Sequence, residues 1–169
     1  AKLSRRLEAM AKVSQDGRKV QDLFKIMRSH DSLWLQAYAN IYANKGAVTP
    51  GVNQNTLDGF SDERVTNIIQ LLEEGRYHFH PSQRVYIPKA NGKLRPLGLP
   101  TGDDKLVQEV ARILLERVYE PIFSDWSHGF RPKRSCHTAL KEVLDTWDGM
   151  KWILEIDIEG FFDNIDHNI

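Results

Sequence analysis

The sequence predicts an α+β fold in which helices dominate. Three observations predict it. Six stretches repeat apolar residues at the period of a helix with one buried face. One stretch, Arg84 to Pro100, reads as two short strands around Asn91-Gly92, a dipeptide that favours a tight hairpin turn. The last eighteen residues begin with the apolar run Trp152-Ile153-Leu154 and continue with Ile156 and Ile158 on alternate positions. That pattern reads as a buried strand ending near Ile158.

Composition bounds the function. At 169 residues the chain is long enough for a real core. Its 23 basic and 23 acidic residues cancel, but they are segregated. Residues 1–30 carry eight Lys/Arg and three Asp/Glu, and residues 76–100 carry five basic residues and no acid. The last eighteen residues carry five acids and no base. Such segregation lets a chain present a nucleic-acid-binding face without a high isoelectric point. Cys136 is the single cysteine, which excludes an intrachain disulfide framework. No apolar run is long enough to cross a membrane. The N-terminal pattern is an amphipathic basic helix rather than a secretory signal, with a transit peptide as the alternative.

In chain order, Leu3, Leu7, Met10 and Val13 mark the first helix, and Gly17 breaks it. Val20, Leu23, Phe24 and Met27 mark a second. Ser29 to Ser32 reads as a helix end and a new cap, and Leu35, Tyr38, Ala39 and Tyr42 mark a third. The basic residues on the opposite faces are either solvated charge or phosphate contacts. Residues 44–60 hold three Gly and one Pro and read as a long loop, which is usually functional or disordered. Ser61-Asp62-Glu63 opens a fourth helix with a buried stripe of Val65, Ile68, Ile69 and Leu72, and Gly75 ends it. In the hairpin that follows, Pro88 and Pro96 imply edge pairing. Lys89, Lys93 and Arg95 are either solubilising charges or a clamp on a polyphosphate.

Asp103-Asp104 opens the clearest helix, with Leu106, Val107, Val110, Ile113, Leu114 and Val118 as its stripe and Pro121 as its stop. Ser127 to Ser135 reads as an ordered basic loop. Phe130 is expected to anchor it, and Arg131, Lys133 and Arg134 to face a polyanion. A sixth helix follows from His137 to Trp147. Cys136 reads as a small buried cysteine. His78, His80, His128 and His137 lack zinc-ligand spacing.

Asp157 is the anomaly of the last strand, a carboxylate one step inside an apolar end. A buried lone charge needs a partner, a metal or a water-filled cleft. Two readings stay open on the residues alone: a solvated strand-end carboxylate, or an oxygen ligand for a hard cation such as Mg²⁺.

The order of these motifs is specific. A hairpin R-V-Y-I-P-K-A-N-G-K-L-R-P-L-G-L-P precedes the helix at 103–120. Then come H-G-F-R-P-K-R-S and the strand E-I-D-I-E-G-F-F-D-N-I-D-H. From about Leu33 onward, and most strongly from Arg84, this resembles the fingers and the start of the palm of group II intron-encoded reverse transcriptases, the maturase family. The resemblance implies a mostly helical fingers region with a basic β-hairpin, ending in the first strand of an incomplete polymerase palm. It divides the chain into a basic helical extension (1–32), fingers (33–150) and the start of a truncated palm (151–169).

By the same resemblance, Lys89 and Arg95 match the residues that hold the incoming nucleotide's triphosphate. Asp157 matches the first metal-binding carboxylate, with the Ile158 carbonyl as an auxiliary ligand. Phe162 matches the aromatic gate under the sugar. Phe130, Arg131 and Pro132 match a loop near the template. With Lys45, Arg84, Lys133 and Arg134 they are the candidate template- and RNA-binding residues. The implied cofactor is Mg²⁺. The implied partners are group II intron RNA, an RNA template with a DNA primer, and a deoxynucleoside triphosphate. The implied location is bacterial cytoplasm or an organelle.

The family's Tyr-x-Asp-Asp pair has no match in the sequence, so these 169 residues by themselves are expected to be inactive and to self-associate through an open palm strand. A non-catalytic RNA-binding module is the alternative, and a telomerase- or retron-like polymerase a weaker one.

Overall fold

A computed structural model of the chain describes residues 2–29, 31–44, 46–161 and 164–166. It divides into two compact units, Ala1–Phe123 and Ser124–Ile169. As expected from the periodicities, the fold is α+β and mostly helical, with one two-stranded antiparallel sheet.

The first unit holds α1 (Lys2–Gln15), α2 (Leu23–Ser29), α3 (Asp31–Tyr42), α4 (Asp62–Glu73), strands β1 (Gln83–Pro88) and β2 (Leu94–Leu99), and α5 (Gly102–Tyr119). The core is centred on α5, whose Leu106, Val107, Val110, Ile113 and Leu114 are buried. Around it pack Leu3, Leu7 and Met10 of α1, Ile26 and Met27 of α2, and Val65 and Ile68 of α4. From α3 come Leu33, Trp34 and Ala37. The Trp34 indole N–H donates to the Met27 carbonyl at 2.8 Å, so this large buried ring leaves no polar atom unpaired.

The face of α3 differs from the expected one. Leu35 is 57% exposed and Tyr42 is also exposed, while Leu33, Trp34 and Ala37 are buried. Eight of the twelve positions of α3 are apolar and they fall all round the helix, so its periodicity does not select a face; the neighbouring helices do. Helix α2 is also shorter than its apolar pattern. Asp22 adopts φ +60, so the helix begins at Leu23 and Phe24 points outward.

Residues 46–60 are irregular but ordered by the ends of α4 and α5. Arg64 donates from Nε to Asp103 Oδ1 (2.6 Å), from Nη1 to the Asp58 carbonyl (2.9 Å), and from Nη2 to Asn55 Oδ1 and the Thr56 carbonyl (both 2.7 Å). Asn55 answers with its carbonyl oxygen accepting from the Gly102 N–H at 3.0 Å. Gly102 is required here, because a Cβ would stand 2.2 Å from the Thr56 carbonyl oxygen. Lys105 Nζ closes the other side, donating to the Gly46 and Thr49 carbonyls at 3.0 and 2.7 Å. Burial lowers the Lys105 pKa from its ordinary value. Ala47 and Leu57 complete the contact by entering the core.

The second unit holds α6 (Cys136–Thr146). Ser135 and Thr138 form a reciprocal capping box, with Ser135 Oγ accepting from the Thr138 N–H and Thr138 Oγ1 accepting from the Ser135 N–H. None of the described α6 residues is buried. Cys136 is exposed, which corrects its reading as a small buried cysteine: it opens the helix, where no neighbour covers it.

The buried strand expected at 152–158 is also corrected. The segment joins no ladder, and its apolar side chains are open, Trp152 at 91% and Leu154 at 83%. A strand is stable only when a neighbour satisfies its backbone donors and acceptors, and among the described residues β1 and β2 pair only with each other.

Candidate nucleic-acid interface

The hairpin is built as its residues require. Gly92 takes φ +78 in the turn, its N–H donates to the Lys89 carbonyl at 2.9 Å, and the Lys89 N–H donates to the Lys93 carbonyl at 2.7 Å. Arg84 stands opposite Gly98 and Arg95 opposite Ile87. Side chains alternate across a strand, so Arg84 and Arg95 project from opposite faces of the ribbon. Lys89, Lys93 and Arg95 are all exposed, in a stretch of 25 residues (76–100) without an acid. The sequence brought these cations to one hairpin; the register separates Arg84 from Arg95.

Sequence reasoning missed the footing of this hairpin. Asp104, read only as a helix-opening acid, is 1% exposed. Its Oδ1 accepts from the Tyr77 hydroxyl at 2.8 Å. Its Oδ2 accepts from Thr101 Oγ1 at 2.7 Å and from the His80 N–H at 3.2 Å. The signal in the sequence was T-G-D-D, a threonine cap three residues before a carboxylate.

The loop before α6 is held by its own arginines. Arg131 donates from Nη1 to the Ser124 and Ser127 carbonyls at 2.7 and 2.8 Å. Arg134 donates to the Asp125 carbonyl at 2.7 Å and to Asp125 Oδ1 at 3.2 Å. Phe130 does not anchor this loop. It adopts φ +55 and is fully exposed, because the arginine staples hold the loop and leave its ring outside. Pro132 and Lys133 are exposed, Lys133 at φ +61. Lys133, Arg134, His128 and Lys141 line a cleft of about 350 Å³ that also holds the carboxylates of Glu142 and Asp145. A basic groove without an acid lies on the first unit, where Lys2, Arg5 and Arg6 of α1 and Lys25 of α2 line about 620 Å³.

Asp157 is exposed, and its Oδ1 accepts from the N–H of Ile158 at 3.0 Å. Among the described residues no three of His, Cys, Asp or Glu come together as a metal site. Mg²⁺ takes six oxygen ligands in near-octahedral geometry, so Asp157 fits it as a single ligand and these residues do not build a closed site. Lys45 and Phe162 lie outside the described residues.

Residues 87–169 match the family model described as reverse transcriptase (RNA-dependent DNA polymerase). Over 165 residues the chain is 49% identical to the group II intron-encoded protein LtrA of Lactococcus lactis subsp. cremoris, a match covering 95% of this chain and 27% of that protein. It is 43% identical over 148 residues to an uncharacterized 91 kDa protein in the cob intron of Schizosaccharomyces pombe, covering 88% of this chain and 18% of that protein. It is 38% identical over 148 residues to the putative COX1/OXI3 intron 1 protein of Saccharomyces cerevisiae, with the same two coverages, 88% and 18%. The chain therefore spans 18–27% of the length of these relatives. The likeness runs through the N-terminal helices, the basic hairpin and the Asp157 segment, and on it the chain belongs to the family of group II intron-encoded reverse transcriptases.

Proposed function

We propose that the protein carrying this chain is an RNA-directed DNA polymerase that also binds group II intron RNA, and that this region grips the incoming nucleotide and the template. The observation that carries the reading is the hairpin, a ribbon exposed on both faces with Lys89 and Lys93 at its turn and Arg95 on one face. Nucleotidyl transfer asks the protein mainly for positioning and charge neutralisation. Lys89 and Arg95 hold the triphosphate of a deoxynucleoside triphosphate. Arg84, on the opposite face, and the loop residues Phe130, Arg131, Pro132, Lys133 and Arg134 meet the RNA template and its DNA primer. Lys45 joins the RNA contacts, and Phe162 packs under the sugar.

Asp157 and the Ile158 carbonyl each offer one oxygen to Mg²⁺, which when bound supplies further charge neutralisation. The test is template-dependent DNA synthesis by the full-length protein with Mg²⁺. Asp157→Asn is expected to abolish synthesis and leave RNA affinity within about twofold, since it removes a ligand and no phosphate contact. Undiminished synthesis by that variant overturns the assignment.

Intron RNA is the partner of the α1–α2 groove in this reading. Phosphate contacts release counterions, so the logarithm of the affinity is expected to fall linearly with the logarithm of salt. Arg5→Glu and Arg6→Glu should flatten that slope by about one to two phosphates each, as measured by filter binding across a salt series. Lys133→Glu tests the loop before α6 more cleanly than Arg131→Glu, because Arg131 also staples that loop. A slope that does not change in any of the three variants removes the electrostatic reading.

Self-association is the fate proposed for these 169 residues in isolation. Trp152, Leu154 and Ile156 form an open apolar stretch that a second copy can cover. Sedimentation should show dimers or larger species, dispersed by Trp152→Asp; a monomer at high concentration counts against it.

A further inference from the structure

We propose that Asp104 is a positioning residue of the nucleotide clamp, fastening both roots of the hairpin to the first turn of α5. The inference rests on Lys89 and Arg95 being that clamp. Among the described residues the strands β1 and β2 pair only with each other, and both faces of the ribbon are exposed. A two-stranded ribbon without a packed face has little to set its direction except its two roots. His80 lies just before β1, and Thr101 lies just after β2. Both converge on one carboxylate oxygen, Asp104 Oδ2, and Tyr77 reaches the other. The His80 ring nitrogen Nδ1 also stands 3.5 Å from Oδ2.

The contact is built as a fixed point. Thr101 is fully buried, and its Oγ1 accepts from the Asp104 N–H at 3.3 Å while donating back to the carboxylate. Among the described residues no buried side-chain polar atom lacks a partner. Burial, and then the hydrogen bond to Asp104, push the Tyr77 phenol well above its ordinary range, so it remains a donor at every physiological pH. Its ring packs edge-on against Phe79, with ring centroids 5.4 Å apart.

Leverage makes the root matter. Six strand residues at about 3.3 Å each put the turn roughly 20 Å from the root, so a tilt of about 10° moves Lys89 by about 3 Å. A misplacement of about 1 Å can cost about a hundredfold in rate. The roots therefore need a rigid tie more than the strands need internal stability.

The experiment uses the full-length protein carrying Tyr77→Phe or Asp104→Asn, with Lys89→Ala and Arg95→Ala as direct clamp variants. Tyr77→Phe keeps the ring and its packing, so it separates the tie from folding. Both tie variants are expected to raise KM for the deoxynucleoside triphosphate roughly tenfold, the size of one lost hydrogen bond to a charged group. Affinity for the primer–template duplex should stay within about twofold. Amide exchange at β1 and β2 should accelerate, while the amides of α5 beyond its first turn stay protected. A KM that moves in Lys89→Ala but not in Tyr77→Phe or Asp104→Asn overturns the positioning role and leaves the clamp standing. A KM that moves in none of the four overturns the clamp, and the positioning role with it. Unchanged exchange in the hairpin overturns the tie itself.

Discussion

Lys89→Ala combined with Arg95→Ala in the full-length protein is expected to lower kcat/KM for the incoming deoxynucleoside triphosphate by about 10²–10⁴-fold. Each substitution removes a cation that would bond a phosphate oxygen, worth about 1.5–3 kcal/mol, and the pair together amounts to that loss. Folding should be untouched, because both side chains are exposed and surface substitutions usually change stability by less than about 0.5 kcal/mol. Arg84→Ala is the internal control. Arg84 leaves the opposite face of the ribbon, so its loss should weaken template binding and spare the nucleotide KM. Steady-state kinetics with varied nucleotide and saturating primer–template separates the two. An unchanged kcat/KM in the double variant would place the triphosphate elsewhere.

Gly102→Ala is expected to destabilise the first unit by about 3 kcal/mol, because its Cβ meets atoms that cannot turn aside. Two of them are backbone, the Thr56 carbonyl oxygen at 2.2 Å and its carbon at 2.4 Å, and the third is Asn55 Oδ1 at 2.4 Å. Relief requires the segment around Thr56 to back away from α5. That breaks the Gly102 N–H to Asn55 bond and pulls Arg64 from its four partners.

Arg64→Ala attacks the same latch from the other side. It leaves Asp103 and three oxygen acceptors without the guanidinium, for a similar loss of about 3 kcal/mol. In a domain of this size either loss lowers Tm by about 6–12 °C. Gly46→Ala is the control, since a Cβ there meets nothing within 4 Å. Thermal unfolding followed by circular dichroism measures all three. Equal Tm values for Gly102→Ala and Gly46→Ala would mean that the close approach of 55–56 to α5 is not part of the stable fold.

Some of this was legible in the residues because local chemistry decides it. The hairpin and its turn follow from Asn91-Gly92 between alternating apolar residues, and the observed strands lie within a residue of the expected ones. Helix α5 follows from a wide stripe with acids in its first turn, and α4 from Ser61 followed by Asp62-Glu63. The candidate cations of the hairpin were legible because charge segregation is a property of the chain alone.

Other features depend on partners far along the chain, and no local pattern carries those. Which face of α3 is buried depends on α2, α4 and α5, since Leu33, Trp34, Leu35, Ala37 and Ile41 surround the helix. The exposure of Phe130 depends on Arg131 and Arg134 finding carbonyls at 124, 125 and 127. Segment 152–158 had the composition of a strand and no ladder to join. The sequence by itself determined the helices, the hairpin and the basic character of its turn, because propensity, turn chemistry and charge act within a few residues. Only the tertiary structure decided that Asp104 is buried beneath the roots of the hairpin and that Arg64 latches the 44–60 segment, because burying a charge is favourable only where distant donors or acceptors converge on it.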